Sequence, residues 1–158
     1  MRVLVVCHGN INRSPLCAAV LRRERPDWEV REAALKGWDN PAFRPERAAK
    51  KMRDEAMRAY GIDLSGHRSR SITISDLDWA EQVVFMDQGN YRRLDAIHEE
   101  WPMVPRRLVS LGSFASPPVS RIPDPNFMKA GSPEFVAVVD LIYQASLGAA
   151  GKMIAPDF

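Results

Sequence analysis

A short apolar run at residues 2 to 6, RVLVV, ends on Cys7, and a helical pattern opens soon after at Ser14 and Pro15. This arrangement constrains the fold more than any other part of the chain. A brief, largely β-branched strand with no polar alternation belongs inside a sheet covered on both faces. Proline in the first helical turn, its φ already near helical values, starts a helix directly behind a tight loop. The unit is strand, loop, helix, with a cysteine at the C-terminal end of the strand.

The rest of the chain repeats the alternation. The helix from Ser14 is expected to stop near Pro26, and a second strand to follow at residues 28 to 33. A breaker-rich loop covers 37 to 45, and 46 to 61 reads as an amphipathic helix closed by Gly61. A short capped helix begins at Ser75, a buried strand lies at 82 to 86, and a helix runs from about Asn90 to Glu100, its start organised by Asp87 and Asn90. A fourth strand at 107 to 111 leads into a proline-rich loop, and the last helix runs from Ser132 and Pro133 to Gly148. Strands alternating with helices predict an α/β domain with a mainly parallel sheet. At 158 residues, with no linker or repeat, the whole of 1–158 is expected to form one domain.

A net charge of +2 offers no electrostatic case for nucleic acid or a membrane surface. The opening MRVLVVCHGN is too short for a signal peptide, and no apolar run approaches a membrane span. Cys7 and Cys17 make neither a disulfide framework nor a metal-ligand pattern, so a reduced, cytoplasmic protein is expected.

The loop after the first strand, HGNINRSP, is suited to an anion. N–H groups at a helix start point toward such a ligand, and the helix dipole favours negative charge there. Gly9 allows a close turn, Asn10 tolerates unusual backbone angles, and Arg13 can grip two phosphate oxygens at once. A cysteine beside that cradle is placed to react as a thiolate, with Ser14 in reach to hydrogen-bond the sulfur. Phosphoryl transfer to sulfur also needs an acid for the leaving oxygen and a base for the water that follows. Asp124, between Pro123 and Pro125 in a stiffened loop, is the candidate for both.

With Cys7, Arg13, Ser14 and Asp124 in place, the chain resembles the low-molecular-weight protein tyrosine phosphatase family. VCHGNINRSP (6–15) is similar to its phosphate-binding loop, and DPNF (124–127) to its late acid loop. GIDLSGHRSR (61–70) and FMDQGNYRRL (85–94) match in order and spacing. The resemblance implies a twisted, four-stranded parallel sheet flanked by helices on both faces. It implies catalytic roles for Cys7, Arg13 and Asp124, and phosphate or substrate contact by His8, Gly9, Asn10, Ile11, Asn12, Arg13 and Ser14. Trp38 and Phe127 are expected to flank the substrate ring, and Asn10, Ser14 and His67 to brace the loop. No metal or cofactor is implied. The expected partner is a phosphorylated protein or small aryl phosphate, met by a monomer.

Several residues depart from the family pattern. Asn12 stands where the family usually has a second cysteine that shields the first, so Cys7 is expected to oxidise irreversibly. Asn126 replaces a tyrosine. Glu32 replaces a small polar residue near His67, where a carboxylate is unfavourable unless it points away from the anion. Ile11 fits tyrosine-directed members, whereas threonine there accompanies protein-arginine phosphatases. Arsenate reductases share the fold and loop but relay oxidation through late cysteines, which this chain lacks. A phosphate-binding module without turnover is the other alternative.

Overall fold

The computed structural model describes residues 1–155; the last three residues of the domain expected over 1–158 lie outside it. Four parallel strands form one sheet: β1 (Arg2–Cys7), β2 (Glu29–Ala34), β3 (Gln82–Phe85) and β4 (Leu108–Ser110), in the order β2-β1-β3-β4. Helices α1 (Arg13–Glu24), α2 (Lys50–Tyr60), α3 (Ile74–Trp79), α4 (Gln88–Glu100) and α5 (Pro133–Lys152) connect and cover them. Short 3-10 turns follow β2 (Leu35–Gly37) and β4 (Leu111–Phe114). No helix among the described residues is long and apolar enough to cross a membrane.

The continuous apolarity of β1 follows from its central place in the sheet. Val3, Val5 and Cys7 pack into the cluster built with α1, α2 and α5, while Leu4 and Val6 pack into the cluster under α3 and α4. Each strand face thus feeds a separate hydrophobic layer, as a period of two requires. β2 and β3 flank β1, so the chain leaves β1 in one direction and returns on its other side. In open parallel sheets the crevice at such a reversal, beyond the C-terminal strand ends, is where ligands bind. Cys7 ends β1 at that crevice, and Asp87 follows β3 into it.

Element boundaries differ from the sequence reading at three helices, two of them through contacts with distant residues. Glu46 to Ala49 carry helix-favouring residues, yet α2 starts only at Lys50. Glu46 is paired instead with Ser69: its N–H donates to Ser69 Oγ (2.8 Å), and Ser69 N–H donates to its carbonyl (2.7 Å). α2 ends as expected on Gly61, left-handed at φ 65°. α3 is capped by Thr73, not Ser75, through a reciprocal box with Asp76. α5 runs past Gly148 to Lys152. There the glycine permits close packing instead of ending the helix, since a Cβ at Gly148 would lie 2.3 Å from the Phe114 carbonyl oxygen.

Candidate active site

The loop between β1 and α1 is built around the sulfur of Cys7, which is only 3% exposed. Asn10 N–H donates to Cys7 Sγ over 3.2 Å, and Ser14 Oγ stands 3.1 Å from it. Asn10 Nδ2 donates to Ser14 Oγ (2.7 Å), which leaves the serine hydroxyl hydrogen free to donate to an ionised sulfur. The residue that needs left-handed backbone is Asn10, at φ 56°. Gly9 is not among the glycines with positive φ.

A left-handed non-glycine residue costs roughly 1–2 kcal/mol, and Asn10 is held there from every side. His67 Nε2 lies 2.7 Å from its carbonyl, and Arg70 N–H donates to its side-chain oxygen (3.2 Å). At the start of α1, Asn12 makes no side-chain cap, so the first-turn N–H groups are left facing the loop. The amide oxygen of Asn12 is buried without a hydrogen-bond partner.

Arg13 is buried at 2% exposure. Its Nη1 donates to Asp87 Oδ2 (2.6 Å) and to the Ile122 carbonyl (2.9 Å), while Nη2 stands 3.7 Å from Asp124 Oδ2. Asp87 also accepts the Asn90 N–H at 2.8 Å, capping α4. The sequence reading limited Asp87 to that cap. The structure adds a second contact, because β3 lies beside β1 and aims the same carboxylate at Arg13. A carboxylate leaving a central strand at a sheet reversal was the available signal. Burial alone would raise the Asp87 pKa, but Arg13 and the Asn90 and Gly89 N–H groups outweigh it and hold the carboxyl below its usual range. The pair therefore stabilises the fold above the ordinary carboxylate pKa, and that contribution fades only as pH falls through the depressed value.

A cavity of about 70 Å³ brings Cys7, His8, Gly9, Ile11, Asn12 and Arg13 together with Asp124 and Asn126. Asp124 is half-exposed, and its Oδ1 accepts the Asn126 N–H at 3.0 Å. A wider cleft of about 620 Å³ adjoins it, walled by His8, Leu35, Lys36, Arg93 and Asp124. Lys36, which no sequence pattern singled out, faces both cavities.

Two expected substrate walls are elsewhere. Trp38 packs against the α3/α4 cluster and lines a separate depression with Ile72 and Trp101, because the 3-10 turn after β2 directs it over that layer. Phe127 is 96% exposed. Lys51 Nζ donates to the carbonyls of Pro125, Asn126 and Met128, each at 2.7 Å. The turn it gathers places Asn126, not Phe127, at the cavity.

Glu32 also departs from expectation by pointing inward. It pairs with Val5 across β1 and β2, beneath the loop, where it lies 3.0 Å from His67 Nδ1 and 3.3 Å from Asn10 Nδ2. Arg22 at 2.7 Å supplies the countercharge that makes this tolerable.

Cys17 is fully buried, and burial pushes its thiol up to about 12. A thiol reagent applied to the folded protein is expected to label Cys7 and to reach Cys17 only after denaturant is added, as mass spectrometry of the labelled peptides would record. Early labelling of Cys17 would contradict this.

A family model described as low molecular weight phosphotyrosine protein phosphatase matches residues 2–154. The chain belongs to that family. The human low molecular weight phosphotyrosine protein phosphatase is 32% identical over 134 residues, covering 79% of both chains. A probable low molecular weight protein-tyrosine-phosphatase, EpsP of Ralstonia solanacearum, is 33% identical over 96 residues. That match covers 61% of this chain, and the chain spans 62% of the relative's length.

Solved structures in this phosphatase family superpose along nearly the whole chain. The tyrosine phosphatase Wzb from Escherichia coli, in complex with sulphate, gives a TM-score of 0.79 at 27% identity, covering 97% of this chain and 98% of its own. The YwlE arginine phosphatase from Geobacillus stearothermophilus gives 0.74 at 30% identity, covering 96% and 92%.

Proposed function

We propose that the protein hydrolyses aryl phosphomonoesters, phosphotyrosine foremost, through a phosphocysteine on Cys7. The observation that carries this reading is the convergence of Cys7, Arg13 and Asp124 on one small cavity at an uncapped helix start. The Cys7 thiolate attacks phosphorus, and the bond from phosphorus to the aryl oxygen breaks as Asp124, in its protonated form, delivers a proton to that oxygen. Water then attacks phosphorus, Asp124 takes its proton, and the sulfur leaves as thiolate with Ser14 and the Asn10 N–H beside it. Arg13 and the first-turn N–H groups hold the phosphoryl oxygens throughout.

The wider cleft would take the aryl group, with Leu35 and the His8 ring in place of the aromatic walls the family resemblance implied. With Ile11 in the loop, tyrosine is the favoured side chain over arginine. Two buried free cysteines suit a reducing, cytoplasmic location, and the protein is taken to act as a monomer.

The test is para-nitrophenyl phosphate hydrolysis against pH with a metal chelator present. Wild type is expected to turn over in mildly acid buffer, and Asp124→Ala to be slower by about 10²–10⁴-fold. Clean, reduced wild type without turnover would leave a phosphate-binding role instead. Phosphotyrosine and phosphoarginine peptides, compared by kcat/KM, decide between the two substrate classes.

A further inference from the structure

His67 is held between two acceptors. Its Nε2 lies 2.7 Å from the Asn10 carbonyl oxygen, and its Nδ1 lies 3.0 Å from Glu32 Oε1. A carbonyl accepts hydrogen bonds, and so does a carboxylate. A neutral imidazole carries a single N–H and can satisfy only one of them. Both bonds together require the imidazolium with an ionised Glu32, or else a proton on Glu32. The other side-chain contacts of Glu32 are hydrogen-bond donors, which a carboxylate accepts: Arg22 Nη1 donates to Oε2 at 2.7 Å, and Asn10 Nδ2 approaches Oε1 at 3.3 Å. Glu32 and His67 are both under 10% exposed on their side chains, so water does little to replace a lost partner.

We propose that Glu32 is a positioning residue that keeps His67 as an imidazolium and, through it, fixes the left-handed turn at Asn10 that shapes the phosphate-binding loop. The charge is supplied from β2, the ring from the segment after α2, and the result is read out in the loop after β1. The inference rests on the anion-binding reading of that loop, not on turnover.

The charged groups around the ring act in both directions. Arg22 from α1 opposes a second positive charge, and Arg68 and Arg70, from the chain beyond His67, line a depression beside the ring. Arg70 is partly occupied by the Glu32 backbone carbonyl at 2.8 Å. On the negative side, Asp63 lines a second depression that also meets Arg22, Glu32 and His67. Burial is the largest influence and favours the neutral ring, but the Glu32 hydrogen bond, its charge and the Asn10 carbonyl together outweigh it, and the His67 pKa is raised. A raised folded-state pKa means the brace is complete below the ordinary histidine value and is lost as pH rises through the raised one. On the alkaline side the one remaining N–H stays on Nδ1 with the carboxylate, the stronger acceptor, so a bare Nε2 faces the Asn10 carbonyl and Asn10 loses a tie.

Glu32→Gln separates charge from position. A glutamine amide can donate to a neutral Nδ1 while Nε2–H still donates to Asn10, so the brace survives without the imidazolium. The experiment is an NMR titration of the histidine rings in wild type and Glu32→Gln, with His67 assigned against His8 and His98 by His67→Gln. Inorganic sulfate binding is followed over the same pH range, because sulfate keeps one charge throughout.

In wild type, His67 is expected to titrate above the value it shows in the urea-unfolded chain, and sulfate affinity to fall in step with it. In Glu32→Gln, the titration is expected to drop by about one pH unit or more, and the alkaline break in sulfate affinity to disappear. A wild-type His67 titrating at or below its unfolded value overturns the proposal, and so does a Glu32→Gln titration that does not move. If Glu32→Gln fails to fold, the wild-type comparison decides alone. A protein that binds sulfate with the expected profile yet hydrolyses no aryl phosphate defeats the phosphatase reading and leaves this role of Glu32 standing.

Discussion

Cys7→Ser is expected to abolish aryl phosphate hydrolysis, with a loss on the order of 10⁴-fold or more, while the protein still folds and binds phosphate. The loop supplies N–H groups and cations for an anion, but only sulfur is readily ionised near neutral pH; a serine hydroxyl in the same place stays protonated and attacks poorly. Serine is nearly the same size and can keep the contacts to the Asn10 N–H and Ser14 Oγ. The change should therefore cost little stability. Para-nitrophenyl phosphate turnover, thermal unfolding and phosphate titration together check the prediction. Turnover within tenfold of wild type would mean that the nucleophile is a different group, and the proposed phosphocysteine would have to be given up.

Arg13→Lys is the second large effect, and it tests the fork rather than the charge. Nη1 is committed to Asp87 and the Ile122 carbonyl, so the guanidinium has Nη2 and Nε left for a phosphoryl group. A lysine ammonium is a single point. It cannot remain on Asp87 and also reach two phosphate oxygens. The expected loss in kcat/KM is about 10²–10³-fold, with kcat falling as well as affinity, because the grip matters most as charge spreads over the transferring group. Arg13→Ala should add a folding penalty of about 3 kcal/mol, since it strands Asp87 beside an empty space. A lysine variant that keeps wild-type kcat/KM would mean that the bidentate geometry is irrelevant and the cation alone suffices.

The strand, loop and helix around Cys7 were legible because their signals are local. Apolar continuity from Val3 to Val6 marks a strand buried on both faces, and Pro15 marks the first turn of α1. The order of the remaining elements follows from the same reasoning. The misjudged residues are those whose neighbours come from far along the chain. Asp87 reads as a helix cap, and it is one, but its contact with Arg13 spans 74 positions. Glu46 to Ala49 read as helix until Ser69, more than 20 positions on, pairs with Glu46. Trp38 and Phe127 occupy plausible substrate-flanking positions in the order of the chain, yet neighbouring turns direct one onto the α3/α4 layer and the other into solvent.

By itself the sequence determined the α/β alternation, the central strand, the loop behind it and the residues proposed here as nucleophile, cation and acid. These follow from dihedral preference, period and side-chain chemistry within a few residues of one another. Only the tertiary structure decided that β2 and β3 lie on either side of β1, and several consequences depend on that order. It brings Glu32 beneath the loop, where it meets His67 and Arg22, and it brings Asp87 to Arg13. It also leaves Lys36 and Arg93 at the mouth of the cleft. A buried carboxylate in a sequence cannot be read as a repelled charge or as a supporting one until its partners are known, and here those partners arrive from three separate elements.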